Sequence, residues 1–415
     1  MRQTLAEERL ERLARAWGTP LYVYDLEVVR RQVAALSAFD VVRYAQKANS
    51  NLTLLRELRL LGAQVDAVSA GELRRALLAG FPAQQVHYTA DVFDEAALEL
   101  LREVPAHANF GSMDMIEQFA DIGLQRQVTL RVNPGFGHGH DRKVSTGGRA
   151  SKHGIWFDQI PEAVERCRGG GLTVTGVHMH IGSGSDFDHL SRIRSSMEKA
   201  VLAAGPDVTT ISTGGGLPVP YRPEEKPFDV DAYAGDWLAT RDALSERLGR
   251  RVTLEVEPGR FLVAEAGLLL AEVRALKAQD DLEYVVVDAG FDCLIRPAMY
   301  GAYHHVSALG GSCEQTARVV AGPLCESADM FTQSKGGLVD PRPLGQVAVG
   351  DLVCVHGAGA YASSMASNYN SRLLAAEVLV DGSRELLIRK RQTFEQLIDN
   401  ELEGLRSAEA AKVAP

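Results

Sequence analysis

The sequence predicts a (β/α)8 TIM-type barrel followed by a mainly-β, sandwich- or barrel-like C-terminal domain, and three observations lead there. Between about residues 40 and 260, short apolar runs alternate with longer amphipathic stretches, the pattern of parallel β-α-β units. The apolar runs number eight in about 220 residues, the count and length of a closed barrel. After residue 265 the helical spacers thin out and apolar runs follow one another through Gly-rich turns. A doubly wound sheet is the alternative, but the first strand is not followed by a Gly-rich dinucleotide turn.

Taken in order, "MRQTLAEERLERLARAWG" reads as an amphipathic charged helix and "GTPLYVYDLEVV" (18–29) as a strand able to pair with the C-terminal domain. The barrel strands are "DVVRYA" (40–45), "QVDAVS" (64–69), "VHYTA" (86–90), "AHANFG" (106–111), "VTLRVNPG" (128–135), "VTGVHMHIG" (174–182), "TTISTGGG" (209–216) and "VTLEVEPG" (252–259). Helical patterns such as "NLTLLRELRLLG" and "AGELRRALLAG" lie between them. In the last third, "GLLLAEVRALKA", "LEYVVVDAG", "TARVVAGPL", "QVAVGDLVCVHGAG", "AAEVLVDG" and "RELLIRKRQ" read as strands. The division expected is a barrel over 30–265, with 1–29 and 266–415 forming the β domain and "RSAEAAKVAP" a frayed tail.

Composition narrows the function. The chain has 415 residues, 46% hydrophobic and 24% charged, with a formal net charge of −10. Its bases are scattered, which speaks against a nucleic-acid face. No run approaches the roughly 18 apolar residues of a membrane span, and the N-terminus lacks the apolar centre of a signal peptide. The five cysteines are odd in number and never spaced C-x-x-C, as expected of free thiols in a cytoplasmic protein.

Chemistry in a barrel of this kind gathers at the carboxyl ends of its strands. There the sequence places Lys47, Asp66, His178 and His180, the triple glycine Gly214, Gly215 and Gly216, and Glu257 with Arg260. Each has an ordinary explanation alone: a solvated lysine, a hydrogen-bonded core histidine, a turn, a surface ion pair. The H-x-H pair could also ligate zinc, which would make a hydrolase. Together, an amine, a phosphate-cradling Gly-rich turn, a flat imidazole and a carboxylate match the needs of pyridoxal 5'-phosphate.

The motifs "YAQKAN", "HMHIGSG", "STGGG", "EPGRF", "RPAMY", "GPLCES" and "GAYASSMASNYNSR" occur in the order found in fold-type III pyridoxal-phosphate decarboxylases, and the chain resembles that family over about 17–400. With "RVNPGFGHGH" and "STGGRASKHGIW" added, it is similar to the diaminopimelate decarboxylases within it. The resemblance implies decarboxylation of meso-2,6-diaminopimelate to L-lysine and carbon dioxide, the last step of lysine biosynthesis. It implies that Lys47 bonds the cofactor covalently, with Asp66 orienting it, His180 stacking on the ring and Ser183 near the phosphate. Gly214, Gly215 and Gly216 would bind the phosphate, with Gly259 close by and Arg260 near both phosphate and substrate. Glu257 would face the pyridine nitrogen. Arg296 and Tyr300 would take the substrate's far carboxylate, Glu326 its far ammonium, Cys325 would donate a proton, and Tyr361 would touch phosphate and substrate. In the family, a homodimer shares its active sites by lending the "CES" segment. One departure is local: the family often has Asn-Asp before "LIRP", where this chain has Asp292 and Cys293, which makes Cys293 a small core residue.

Rival activities are an ornithine- or arginine-type decarboxylase and an alanine-racemase-like enzyme. "RPAMY" with "CES" argues against the first, because a simple diamine has no far carboxylate. Glu257 argues against the second, which pairs the ring nitrogen with arginine. A binding protein without catalysis is disfavoured by Lys47, Glu257 and Cys325 occurring together.

Overall fold

The computed structural model describes residues 5–137, 146–182, 186–311 and 314–413. The chain divides into two compact units, one of Glu27–Pro220 and Glu224–Ala264, the other of Met1–Leu26, Tyr221–Pro223 and Glu265–Pro415.

The first unit is a closed parallel barrel. Its strands are β1 (Val41–Ala45), β2 (Gln64–Ala67), β3 (Val86–Ala90), β4 (His107–Phe110), β5 (Gln127–Asn133), β6 (Thr173–His178), β7 (Thr210–Ser212) and β8 (Thr253–Val256). Neighbours in sequence are neighbours in the sheet, β1 pairs β8, and β4 with β5 completes the ring. Six fall within the runs the sequence marks and β5 and β6 begin one residue earlier, because each run is short, apolar and bounded by turn residues. The spacers fold as helices, for example Leu52–Leu60 capped by the Asn51 side chain and Ala70–Leu78 capped by Ser69.

The barrel interior is polar, where Val, Ile and Leu are usual. Arg43 on β1 forms a buried ion pair with Glu255 on β8, Nη2 to Oε1 at 2.8 Å. His87 and His107 stack with centroids 4.3 Å apart. Asn109 on β4 bonds His178 on β6, and His178 approaches Glu257 beyond β8. Pairs from strands that are not sheet neighbours can meet only across the interior.

In the second unit the strand Leu21–Asp25 is central. It pairs antiparallel with β9 (Gly267–Gln279), Leu21 opposite Leu270, and parallel with Ala376–Asp381, Leu21 opposite Ala376. The N-terminal segment therefore joins the C-terminal sheet, as its sequence allows. The helix Glu7–Trp17 buries Leu10 and Leu13 in the same core as Leu21, Val23 and Leu270. Two strands escape sequence reading, Val306–Ala308 and Arg342–Gly345, which are short and in one case contain proline. The described part of the tail is helical, not frayed: a helix runs Phe394–Val413, because Ala, Glu, Leu and Lys sustain it without Gly or Pro between Gly404 and its end.

Candidate active site

Lys47 follows β1 in a single 3-10 turn, Gln46–Ala48, and is exposed while both neighbours are buried. The turn is tied on all sides. The Tyr44 hydroxyl donates to the Asn49 carbonyl (2.9 Å), Gln46 Nε2 to the Glu72 carbonyl (3.1 Å), and the Ala45 N–H to the Pro258 carbonyl (3.1 Å). A long, exposed amine thus stands on a tied base at the carboxyl end of the barrel.

Two buried carboxyls near this end are driven apart in acidity. Asp66 is pushed up to about 7 by burial and then by the like charge of Glu257, against the Lys47 ammonium and a hydrogen bond from Thr89. Burial would also raise Glu257, but His178, the Ser212 hydroxyl and the Arg43 charge outweigh it and hold its carboxyl well below the usual range. The Ser212 Oγ–Glu257 Oε1 distance is 2.6 Å, and His178 Nε2 lies 3.1 Å from Oε2. Asn109 Nδ2 donates to His178 Nδ1 (2.9 Å) and Thr89 Oγ1 (3.2 Å), so polar contacts run from Glu257 through His178, Asn109 and Thr89 to Asp66. Glu257 is thereby a fixed anion and Asp66 a group poised near neutrality.

His180 is half-buried beyond β6, and burial, then the Lys47 and Arg131 charges, keep its ring neutral. The His180 and Ile181 carbonyls are held by the Thr146 hydroxyl (3.0 Å) and N–H (3.1 Å). Ser183 lies outside the described residues.

The triple glycine runs so close to both segments that side chains are excluded. A Cβ on Gly214 (φ 67°) would fall 2.4 Å from the Met179 carbonyl, one on Gly215 2.3 Å from the Glu257 carbonyl, and one on Gly216 (φ 99°) 2.3 Å from the Gly182 carbonyl. The Glu257 N–H donates to the Gly214 carbonyl (2.8 Å), and the Gly214 N–H donates to Ser212 Oγ (3.2 Å). Gly259 abuts the Ala45 carbonyl and precedes the short buried helix Arg260–Val263. The segment "GGRASKHG" (147–154) is anchored: Asn133 bonds Gly148 and His153, and Asp91 receives the Gly154 N–H (3.0 Å) and the His153 ring.

In the second unit, Arg296 opens the short helix Arg296–Tyr300, fully buried, with Tyr300 half-buried at its end. Cys325 is exposed, its N–H bonded to Asn370 Oδ1 (3.2 Å), and Glu326 receives the Tyr369 hydroxyl. Tyr361 holds φ 56°, a left-handed backbone that costs a bulky residue about 1–2 kcal/mol. Cys293 is buried with its thiol raised by burial, as befits a core residue.

The residues fit pyridoxal phosphate. Asp66 Oδ1 and His180 Nδ1 are buried polar atoms without a hydrogen-bond partner, and the glycine turn leaves a bare-backbone cradle beside an ionised carboxylate. Among the described residues no three His, Cys, Asp or Glu side chains converge as metal ligands, and His178 is turned to Asn109 and Glu257 instead. Sequence reasoning singled out His178 and Glu257 but missed Asn109, which joins the chain of contacts. Ser212, two residues before the first glycine, carried a period-2 signal, whereas Thr89, Asn109 and Arg43 sit in unremarkable runs.

A barrel bearing such a lysine, glycine cradle and buried, ionised acid belongs to the pyridoxal-dependent decarboxylase class, and the family model "Pyridoxal-dependent decarboxylase, pyridoxal binding domain" matches residues 26–264. The chain is 50% identical to diaminopimelate decarboxylase of Escherichia coli K12 over 408 residues, 96% of this chain and 97% of that one. A crystal structure of diaminopimelate decarboxylase superposes with a TM-score of 0.93 at 50% identity, covering 96% and 97%. The Helicobacter pylori enzyme complexed with L-lysine is 30% identical, with a TM-score of 0.87 and coverage of 95% and 100%. The chain belongs to the diaminopimelate decarboxylase family.

Proposed function

We propose that this protein converts meso-2,6-diaminopimelate to L-lysine and carbon dioxide, using pyridoxal phosphate bonded through Lys47. The relatives' substrate supports the reaction, and the observation that carries it in this chain is the ionised Glu257 and the exposed Lys47, both acting on the buried Asp66. When bound, the cofactor supplies an electron-withdrawing ring that takes up the electron pair left by the departing carboxylate.

The chain's own residues do the rest. Lys47 offers the amine, and Asp66, titrating near neutrality, can accept or return a proton beside it. Glu257 keeps a proton on the ring nitrogen, because Ser212, His178 and Arg43 oppose its own protonation. His180 stays neutral and flat for stacking. Since the Gly214 N–H already serves Ser212, the phosphate falls to Gly215 and Gly216, with Ser183, Gly259 and Arg260 nearby. Arg296 and Tyr300 grip the far carboxylate and Glu326 the far ammonium, which fixes which Cα bond breaks. Cys325, the exposed thiol, returns the proton to Cα, and Tyr361 borders phosphate and substrate. In this reading the enzyme works in the cytoplasm as a homodimer whose subunits exchange the Cys325–Glu326 segment. Among the described residues no helix is long and apolar enough to cross a membrane.

The test is incubation with meso-diaminopimelate, reading carbon dioxide and L-lysine with and without added pyridoxal phosphate. Stoichiometric lysine that depends on the cofactor is expected. Equal turnover of lysine or ornithine would contradict the assignment.

A further inference from the structure

Arg296 is 2% exposed, and its neighbours fix it unusually tightly. Its Nη1 lies 2.7 Å from His304 Nε2. A guanidinium only donates, so Nε2 must present a lone pair. His304 Nδ1 lies 2.9 Å from the His356 carbonyl, which only accepts, so that nitrogen carries the proton. Both partners thus dictate one neutral tautomer of a fully buried histidine. The Tyr221 ring covers the guanidinium with Arg296 Cζ 4.7 Å from its centroid, and meets His304 edge-on at 5.1 Å. Arg342 Nη1 donates to the His304 carbonyl (2.9 Å), which anchors the backbone behind the ring.

One edge of the Arg296 fork is therefore committed to His304 and one face to Tyr221 before any ligand arrives. We propose that His304 and Tyr221 are positioning residues for Arg296, and that they set the preference for ligands ending in an α-amino-acid head over ligands ending in a bare amine. This rests on the reading that Arg296 takes the far carboxylate. A fork held in direction loses little freedom when a carboxylate docks on it. A bare amine gains nothing from the same order.

The probes are L-lysine, which keeps the far head, and pentane-1,5-diamine, which lacks both carboxylates, as competitive inhibitors of the holoenzyme. His304→Leu should raise the lysine Ki and the diaminopimelate KM by about 10- to 100-fold, the usual cost of removing a group that orients a working side chain. The diamine Ki should move less than about twofold, and kcat should change less than KM. His304→Gln, which restores an acceptor at the Nε2 position, should recover most of the loss. Equal losses for lysine and diamine, or no loss for lysine, would overturn the inference. Arg296→Met separates the two ideas. If it collapses the lysine-to-diamine preference while His304→Leu does not, the positioning role fails and the carboxylate role stands. If Arg296→Met leaves the preference intact, both fall. Should His304→Leu not fold, Tyr221→Leu against Tyr221→Phe carries the same ratio, with only the ring-bearing variant expected to keep it.

Discussion

Replacing Asp66 by asparagine should make the cofactor-free enzyme more stable at neutral and alkaline pH while impairing its activity. Asp66 is 3% exposed and pushed up to about 7 by burial and by Glu257. An unfolded aspartate titrates at about 3.9. The folded value lies above the unfolded one, so the stability linked to Asp66 is fully present below about pH 4 and is lost as pH rises through about 7. A gap of about three units corresponds to at most about 4 kcal/mol. Asparagine keeps the shape and can still accept from Thr89, yet it never ionises. Urea unfolding of cofactor-free parent and Asp66→Asn, followed by circular dichroism, should give the variant an advantage of only about 1 kcal/mol near pH 4.5 that grows to about 2–4 kcal/mol near pH 8. A constant offset at every pH, or a less stable variant at pH 8, would refute the claim that a confined charge sits at this position. The penalty would then be maintained for function, as strained active-site groups often are.

Glu257→Gln removes the anion but not the shape, so kcat should fall about 10²- to 10³-fold with little change in KM, measured by lysine release. An unchanged kcat would remove Glu257 from the chemistry. Glu255→Ala leaves the Arg43 cation buried and unpaired and should cost about 3–5 kcal/mol in urea unfolding; a loss below about 1 kcal/mol would mean that water reaches Arg43. Gly215→Ala forces a methyl against the Glu257 carbonyl and should weaken cofactor retention by about 1–3 kcal/mol, seen as lost visible absorbance on dialysis. Retention equal to the parent would show that this turn can yield.

The barrel strands were legible because each carries its own short apolar run between turn residues, and the N-terminal strand because "LYVYD" alternates apolar and aromatic residues. Lys47, Glu257 and the glycines were legible because they lie at strand ends, where a barrel puts its chemistry. The supporting residues were not. Thr89, Asn109 and His178 come from three different strands, and nothing local says that β4 faces β6 across the interior. Arg43 and Glu255 look like surface charges until the register closes β1 onto β8. His304 and Tyr221 are separated by more than 80 residues of sequence and meet only in the folded unit. The C-terminal helix departs from the frayed end expected there because helix propensity through "RSAEAAKV" prevails over the tendency of chain ends to fray.

The covalent role of Lys47 is open to one direct test: borohydride reduction of the holoenzyme, followed by proteolysis and peptide mapping. The phosphopyridoxyl label is expected on the peptide containing "YAQKAN", at Lys47 and nowhere else. A label on another lysine, or none at all, would contradict the proposed chemistry at its origin.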